Sequence, residues 1–515
     1  MKKTRAIVAA TAALAVLALG GCTSGGGSAP PVDTTLTVGI NTPPISLDPL
    51  RAALGNGRWY EDPAYTSVLD LNDDGEVIAG LADEWGYVGE GNTKFSFTLK
   101  PDLEFSDGTP LTAQSVVDSY NYFVANGSGP TRPYFFAITA EAVDDLTVEL
   151  TSATPNPIMD QLVTGDYYAF APISPAGLAD DTARAGDTFG IGPYVLDKEA
   201  TIPDNVYVYV KNENYFDEDA AKYEKIEVKV IPDYTQQVQA LNTGQVELIQ
   251  VDPNVASTLK DPATVLERAS SWNGLLLTDR GGVNTPALAD ERVRQALAWA
   301  IDREAVAKAS VGEYGTATTQ VAIDGDPSWG YDPELEDAYT QDLDKAKDLL
   351  AEAGYPDGFS FTALYQGPSQ ADSKLVQALA SDFAKIGVTM ELKPEADFGA
   401  WVTDFTSGQY SASIFGGGGV MFLFAQGFWM PDGIMNPYKV SDQEMNDAMA
   451  ALAVAEGDEV GPAAQEVNRV ATLNALSIPV YQQTLIYAHA DSVSDVTWVG
   501  SSSNLNSITH WTPAS

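Results

Sequence analysis

Cysteine is almost missing from this chain: Cys22 is the only one in 515 residues, so no internal disulfide can form. Histidine is nearly as scarce, with His489 and His510 alone, which excludes His-rich metal centres and leaves few general bases. His489, in "LIYAHAD", reads as a strand residue rather than a ligand. Basic residues are also few: 28 Lys and Arg face 71 Asp and Glu, for a net charge of −43. Nucleic acid is excluded as a partner, because neutralising phosphates requires clustered cations. Neither G-x-S-x-G nor H-E-x-x-H occurs, and no cofactor and no metal is expected. The many acids carry no catalytic signal of their own, since some carboxylates must fall close together in any acidic protein. An exported two-carboxylate glycosidase is therefore the rival enzyme class, without a motif to support it.

What is present begins at the N-terminus. "MKKTR" is a positive leader, and "AIVAATAALAVLALGGC" is an apolar stretch too short to span a bilayer comfortably. Together they read as an export signal over residues 1–21. Leu19-Gly20-Gly21-Cys22 resembles a bacterial lipobox, which makes Cys22 the lipid attachment point. The Gly/Ser/Pro stretch that follows, over residues 22–34, reads as a flexible tether. The expected location is the outer face of the cytoplasmic membrane, reached through the lipid alone.

Beyond the tether, strands and helices alternate, so the fold class is α/β. "TLTVGI" is a β-branched strand closed by the prolines of "NTPPISLDP". "KFSFTLKP" turns Phe95, Phe97 and Leu99 to one face; "KIEVKVIP" does the same with Ile226, Val228 and Val230. "DERVRQALAWAIDREAVAKA" predicts one helix, capped by Asp290, with Val293, Ala296, Leu297, Ala300 and Ile301 on its apolar stripe. A helix capped by Asp342 should stop at Gly354, and another should stop at Gly387 and feed a strand. "FSDGTPLTAQSVVDSY" is a turn at Asp107-Gly108 followed by a helix capped by Thr112. In "GIGPYVL", Gly190 and Gly192 supply backbone room.

The pieces "PPISLDP", "GLADEW", "FTLKPDLEFSDGTPLTAQSVVDSYNYF", "GIGPYVL", "NENYF", "VRQALAWAIDREAV" and "DLDKAKDLLAEAGYPDGF" occur in this order. Together they resemble the bacterial extracellular solute-binding proteins of family 5, the peptide/nickel type that serves ABC importers. The resemblance implies a large two-lobed periplasmic-binding-protein (Venus-flytrap) fold with an extra subdomain inserted in the first lobe. It implies a first lobe built from residues 33–66, 187–275 and 488–515, an insertion at 67–186, and a second lobe at 276–487. It implies a monomeric binding protein, not an enzyme, that closes on a small-molecule solute and delivers it to membrane permease subunits. The expected solute is a short peptide, with an oligosaccharide or another largely neutral solute as the alternative. A structural or adhesive lipoprotein is a third class, against which the cleft-forming scaffold speaks.

One segment bears on the solute. Phe415 to Gly433, "FGGGGVMFLFAQGFWMPDG", lies in a chain portion with no charge from Phe405 to Pro431. It is no phosphate loop, because no Lys follows the glycines until Lys439. It is no membrane span, because Val420 to Ala425 is only six continuously apolar residues, against about twenty required. It reads as a buried strand or as a pocket wall. The peptide binders of the resembled family carry a Trp and an acid here, the acid pairing with the ligand's α-ammonium. This chain has Gly417 and Val420 instead, and the nearest acids, Asp404 and Asp432, lie outside that slot. A glycine wall lets a ligand lie on the backbone. The candidate ligand-binding residues are Trp272, Asn273, Trp401, Gly416, Gly417, Phe422, Phe424 and Trp429.

Overall fold

A computed structural model describes residues 34–514 apart from 52–57, 128–131, 261–262, 326, 368, 501 and 503. The leader, most of the tether and Cys22 lie outside the described residues.

One eleven-stranded sheet organises the chain. At one end, Thr35–Ile40 pairs in parallel with Lys225–Val230 and Leu248–Gln250. At the other, Ser360–Gln366 pairs in parallel with Thr389–Glu395 and, briefly, with Ala412–Gly417. Two long antiparallel strands, Ala263–Leu277 and Ser477–Ala490, join the two ends. Each takes one end: Ser477–Ala490 pairs with Leu248–Gln250, and Ala263–Leu277 pairs with Ala412–Gly417. Their mutual register shifts between Ala269 and Ser271 and again between Asn273 and Gly274. Such irregularities bend and twist a strand pair.

A separate four-stranded antiparallel sheet combines Ala82–Tyr87, Lys94–Leu99, Thr147–Ser152 and Ile138–Ala142. Phe95, Phe97 and Leu99 are buried on its one face, as period-2 alternation requires. The helix Ala113–Asn126 starts at Thr112, whose hydroxyl accepts from the Ser115 N–H. Gly190 and Gly192 have no room for a side chain, since an added Cβ would come within 2.4 Å of the Ala64 carbonyl oxygen and 2.3 Å of its carbonyl carbon, respectively.

Packing follows the same division. One apolar cluster gathers Leu36, Val38, Ile226, Val228 and Trp511 around the first parallel group. Another gathers Val293, Ala296, Leu297, Phe361 and Leu375 around the second. A third runs without interruption from Phe95, Phe97 and Phe170 of the small-sheet region to Phe424, Trp429 and Val467. The small-sheet region and the helices around Phe424 and Val467 thus share one buried core.

Two expectations need correction. The stretch after Asp290 forms two helices, Glu291–Trp299 and Arg303–Val311, because Asp302 caps a new start by accepting from the Ala305 N–H. The apolar run after the glycines is a helix, Met421–Phe428, not a strand. Every residue of that helix except Gln426 is buried, so no periodicity marked it. The caps at Asp342 and Ser369, and the positive φ of Gly354 and Gly387, fall where helix termini need them.

Candidate ligand cleft

A cavity of about 490 Å³ opens between the small-sheet side and the glycine segment. This volume lies within the ordinary range for small-molecule sites, about 300–1,000 Å³. Its far wall is the backbone from Phe415 to Val420 with Leu423, Phe424 and Phe428 behind. Its near wall is Tyr134, Gln161, Thr164, Asp166 and Tyr167. Ser270 from the crossing strand, Ser328, Trp329 and Asn504 also line it.

The glycine wall has two different sides. Along residues 412–417 it is paired with Leu277 back to Trp272. On its other edge the pairing with Ser360–Gln366 ends at Ala412 and Ser413. From Phe415 onward that edge carries no strand partner among the described residues, and it is this part that lines the cavity. Glycine is required here by crowding: a Cβ on Gly416 would lie 2.5 Å from Asn273 Oδ1, and one on Gly417 would lie 3.2 Å from the Phe424 ring.

Aromatic rings form the backing. Phe424 stacks on Phe428 with centroids 4.0 Å apart, and Phe415 meets Phe428 edge-on at 5.1 Å. Trp401 stacks on Phe415 at 5.9 Å, while Trp429 and Trp272 approach Phe424 edge-on at 5.3 and 6.2 Å. Of the eight candidate residues, Gly416, Gly417 and Phe424 line the cavity. Trp272, Trp401, Phe422 and Trp429 are 0%, 3%, 6% and 1% exposed and stand behind the wall instead. The indole N–H groups of Trp401 and Trp429 are spent on Ser413 and Ser477 hydroxyls, at 3.0 and 3.2 Å. Asn273 is half-buried against Gly416, and its amide donates to the Ser271 hydroxyl at 3.3 Å. These five residues shape the cleft through the rings and glycines they support.

Sequence reasoning passed over the near wall. Asp166 is the only carboxylate or cation among the described lining residues. Its Oδ1 accepts from Arg58 Nη1 at 2.8 Å and from Asn504 Nδ2 at 3.2 Å. Arg58 also reaches Asp62 at 3.2 Å. Burial works against the Arg58 charge, but Asp62, Tyr168, Asp166 and Asp70 outweigh it and hold its pKa well above the usual value. Tyr168 adopts a left-handed φ of 53°, rare for a bulky side chain, and its hydroxyl is tied to Asp62. The phenols of Tyr134 and Tyr167 are pushed up by burial, so both stay neutral donors. Trp329 stood in the Pro/Gly/Asp-rich loop "GDPSWGYDP"; an aromatic in such a loop was the available signal.

His489 lies in the long strand Ser477–Ala490, paired with Leu248 and Thr264, away from the cavity. Among the described residues, no group of three or more His, Cys, Asp or Glu could hold a metal ion, and no helix is long and apolar enough to cross a membrane.

Known proteins match this architecture. The family model "Bacterial extracellular solute-binding proteins, family 5 Middle" matches residues 76–433. Heme-binding protein A of Haemophilus influenzae is 29% identical over 419 residues, covering 74% of this chain and 72% of the relative. The glutathione-binding protein GsiB of Salmonella typhimurium is 26% identical over 489 residues, covering 90% and 91%. Among solved structures, the periplasmic binding protein DppA of Helicobacter pylori, in complex with the peptide STSA, superposes with a TM-score of 0.74 at 20% identity. That superposition covers 93% of this chain and 98% of DppA. With its two-lobed periplasmic-binding-protein fold, the chain belongs to the bacterial extracellular solute-binding proteins of family 5, carriers that deliver a captured solute to an ABC importer.

Proposed function

We propose that the solute is a short peptide held in extended form along the backbone of Phe415–Gly419. The observation that carries this reading is the unpartnered strand edge facing the cavity. A strand edge offers alternating N–H and C=O groups, which a peptide backbone matches and a sugar does not. The wall's lack of side-chain charge suits amide groups, and the glycines allow close approach. DppA, of the same fold, is bound to a peptide, and GsiB, a relative over most of the chain, is a glutathione-binding protein. Two-carboxylate hydrolysis needs a pair of acids at the bond cleaved, whereas the described wall offers Asp166 alone. On this reading the protein binds and releases its solute.

In this reading the lobes meet at the crossing strands, and the irregular backbone at 269–274 supports a hinge there. The leader and Cys22 support export and lipid anchoring of a monomer outside the cytoplasmic membrane. Loss of radiolabelled palmitate incorporation in Cys22→Ser, with incorporation in the parent chain, is the expected result.

Native mass spectrometry of the gently purified chain, followed by release and sequencing of the bound solute, tests the peptide reading. A family of short peptides is expected. Recovery of oligosaccharides with no peptide would refute it. A ligand at a hundred times its Kd should stabilise the chain by about 2.7 kcal/mol in unfolding experiments.

A further inference from the structure

The cavity wall bears one formal charge among its described residues, and that charge is half used. Asp166 Oδ1 takes both protein donors, Arg58 and Asn504. Asp166 Oδ2 has no hydrogen-bond partner among the described residues, and the side chain, 22% exposed, lines the cavity.

Arg58 does not cancel this carboxylate. The single guanidinium is shared between Asp166 and Asp62 and is acted on by Asp70 as well. The one guanidinium serves two carboxylates at bonding distance, and Asp166 is the member of that group that lines the cavity. The carboxylate is also held in place. Its backbone N–H donates to Thr164 Oγ1 at 3.4 Å, and two residues on Tyr168 is pinned to Asp62 in a left-handed conformation. A fixed, partly desolvated carboxylate with one open oxygen is a partner for an ammonium or guanidinium group. The opposite wall, Phe415–Val420, offers backbone and rings with no charge.

We propose that Asp166 anchors the cationic group of the solute, the α-ammonium of the peptide, from the lobe opposite the glycine wall. This deepens the peptide reading and rests on it. The amino end then sits at Asp166, and the peptide backbone runs along Phe415–Gly419. The assignment replaces the acid missing at Gly417 and Val420. A buried ammonium with no carboxylate would be strongly disfavoured.

The test is calorimetric titration of the ligand-free full chain with three probes: a pool of tripeptides with free amino termini, the same pool N-acetylated, and a pool of neutral trisaccharides. The parent chain should bind the free-amine pool at least about tenfold more tightly than the acetylated pool, as a charged hydrogen bond implies. Asp166→Asn should lose that preference while binding the acetylated pool as before, and Asp166→Glu should recover part of it. Equal binding of the two peptide pools by the parent chain overturns the anchor and leaves the peptide reading standing. A preference that survives in Asp166→Asn overturns the anchor likewise. Binding of neither peptide pool, whatever the trisaccharides do, overturns the peptide reading and the anchor together. If Asp166→Asn does not fold, the parent-chain comparison and Asp166→Glu still decide the question.

Discussion

The side-chain amide of Asn92 donates to the carbonyls of Ala453 and Ala455, at 3.3 and 3.2 Å, and thereby ties the small-sheet side of the molecule to the helix Gln443–Ala453. Asn92 has a left-handed φ of 51°, and its own carbonyl accepts from the Asn156 N–H at 2.9 Å. The contact is buried and is separate from the residues lining the ligand cavity. It is expected to act as a latch that holds the cleft closed. Asn92→Gly removes the amide and tolerates the backbone conformation. It should disfavour the closed form by about 1–3 kcal/mol and weaken solute binding by about 5–150-fold. Small-angle scattering should report a larger radius of gyration for the variant at subsaturating solute, with a similar thermal midpoint; an unchanged affinity would count against the latch.

The glycine wall should tolerate no methyl group at Gly416. The added Cβ would meet Asn273 Oδ1 at 2.5 Å and the Trp272 carbonyl at 2.8 Å, and the second contact is backbone that cannot swing away. Gly416→Ala should cost about 1–3 kcal/mol of stability and lower solute affinity through the displaced wall. Denaturant unfolding and calorimetric titration of the same sample measure both.

Trp429 should behave as core rather than as a contact. Trp429→Phe loses the bond to Ser477 and leaves a small void, at about 1–3 kcal/mol of stability. Solute affinity should change by less than about threefold, since the indole stands behind Phe424. A large affinity loss at unchanged stability would place the indole in the cleft after all.

Acid should favour the fold through Glu61. Burial, followed by the fields of Asp62 and Asp48, raises its pKa well above the ordinary value, against the opposing pull of Arg58. Its Oε1 has no hydrogen-bond partner among the described residues. The folded state therefore holds a proton that the unfolded chain releases near pH 4.3. Stability from this group is full below that value and is lost as pH rises towards the folded-state pKa. Glu61→Gln should raise the thermal midpoint at pH 8 and flatten its rise between pH 8 and pH 5. Lower repulsion among 71 acids acts in the same direction, so the difference between parent and variant is the diagnostic quantity.

Much of the scaffold could be read in advance because its signals are local. Thr112, Asp342 and Gly387 mark helix ends through their own backbone chemistry, and Phe95, Phe97 and Leu99 mark a strand face through alternation. The helix Met421–Phe428 escaped because nearly all of it is buried, which erases the periodicity that separates helix from strand. The tryptophans are ambiguous in sequence for a related reason: an indole is equally at home in a core or a cleft, and the fold sets the Ser413 and Ser477 hydroxyls that accept from Trp401 and Trp429. Asp166 gave no warning at all. It is one acid among many, and its significance comes from Arg58, more than a hundred positions earlier, and Asn504, more than three hundred later.

The sequence by itself determined the α/β scaffold, the family, and a glycine-rich segment with no charge in an acidic chain. Caps, turns and alternation act between neighbours, so the order of residues is enough to fix them. Only the tertiary structure decided which edge of Phe415–Gly419 stays unpaired and which rings stand behind it. It alone brought one open carboxylate oxygen to the facing wall, because charge, burial and strand pairing at the cleft depend on residues that meet only when the chain folds.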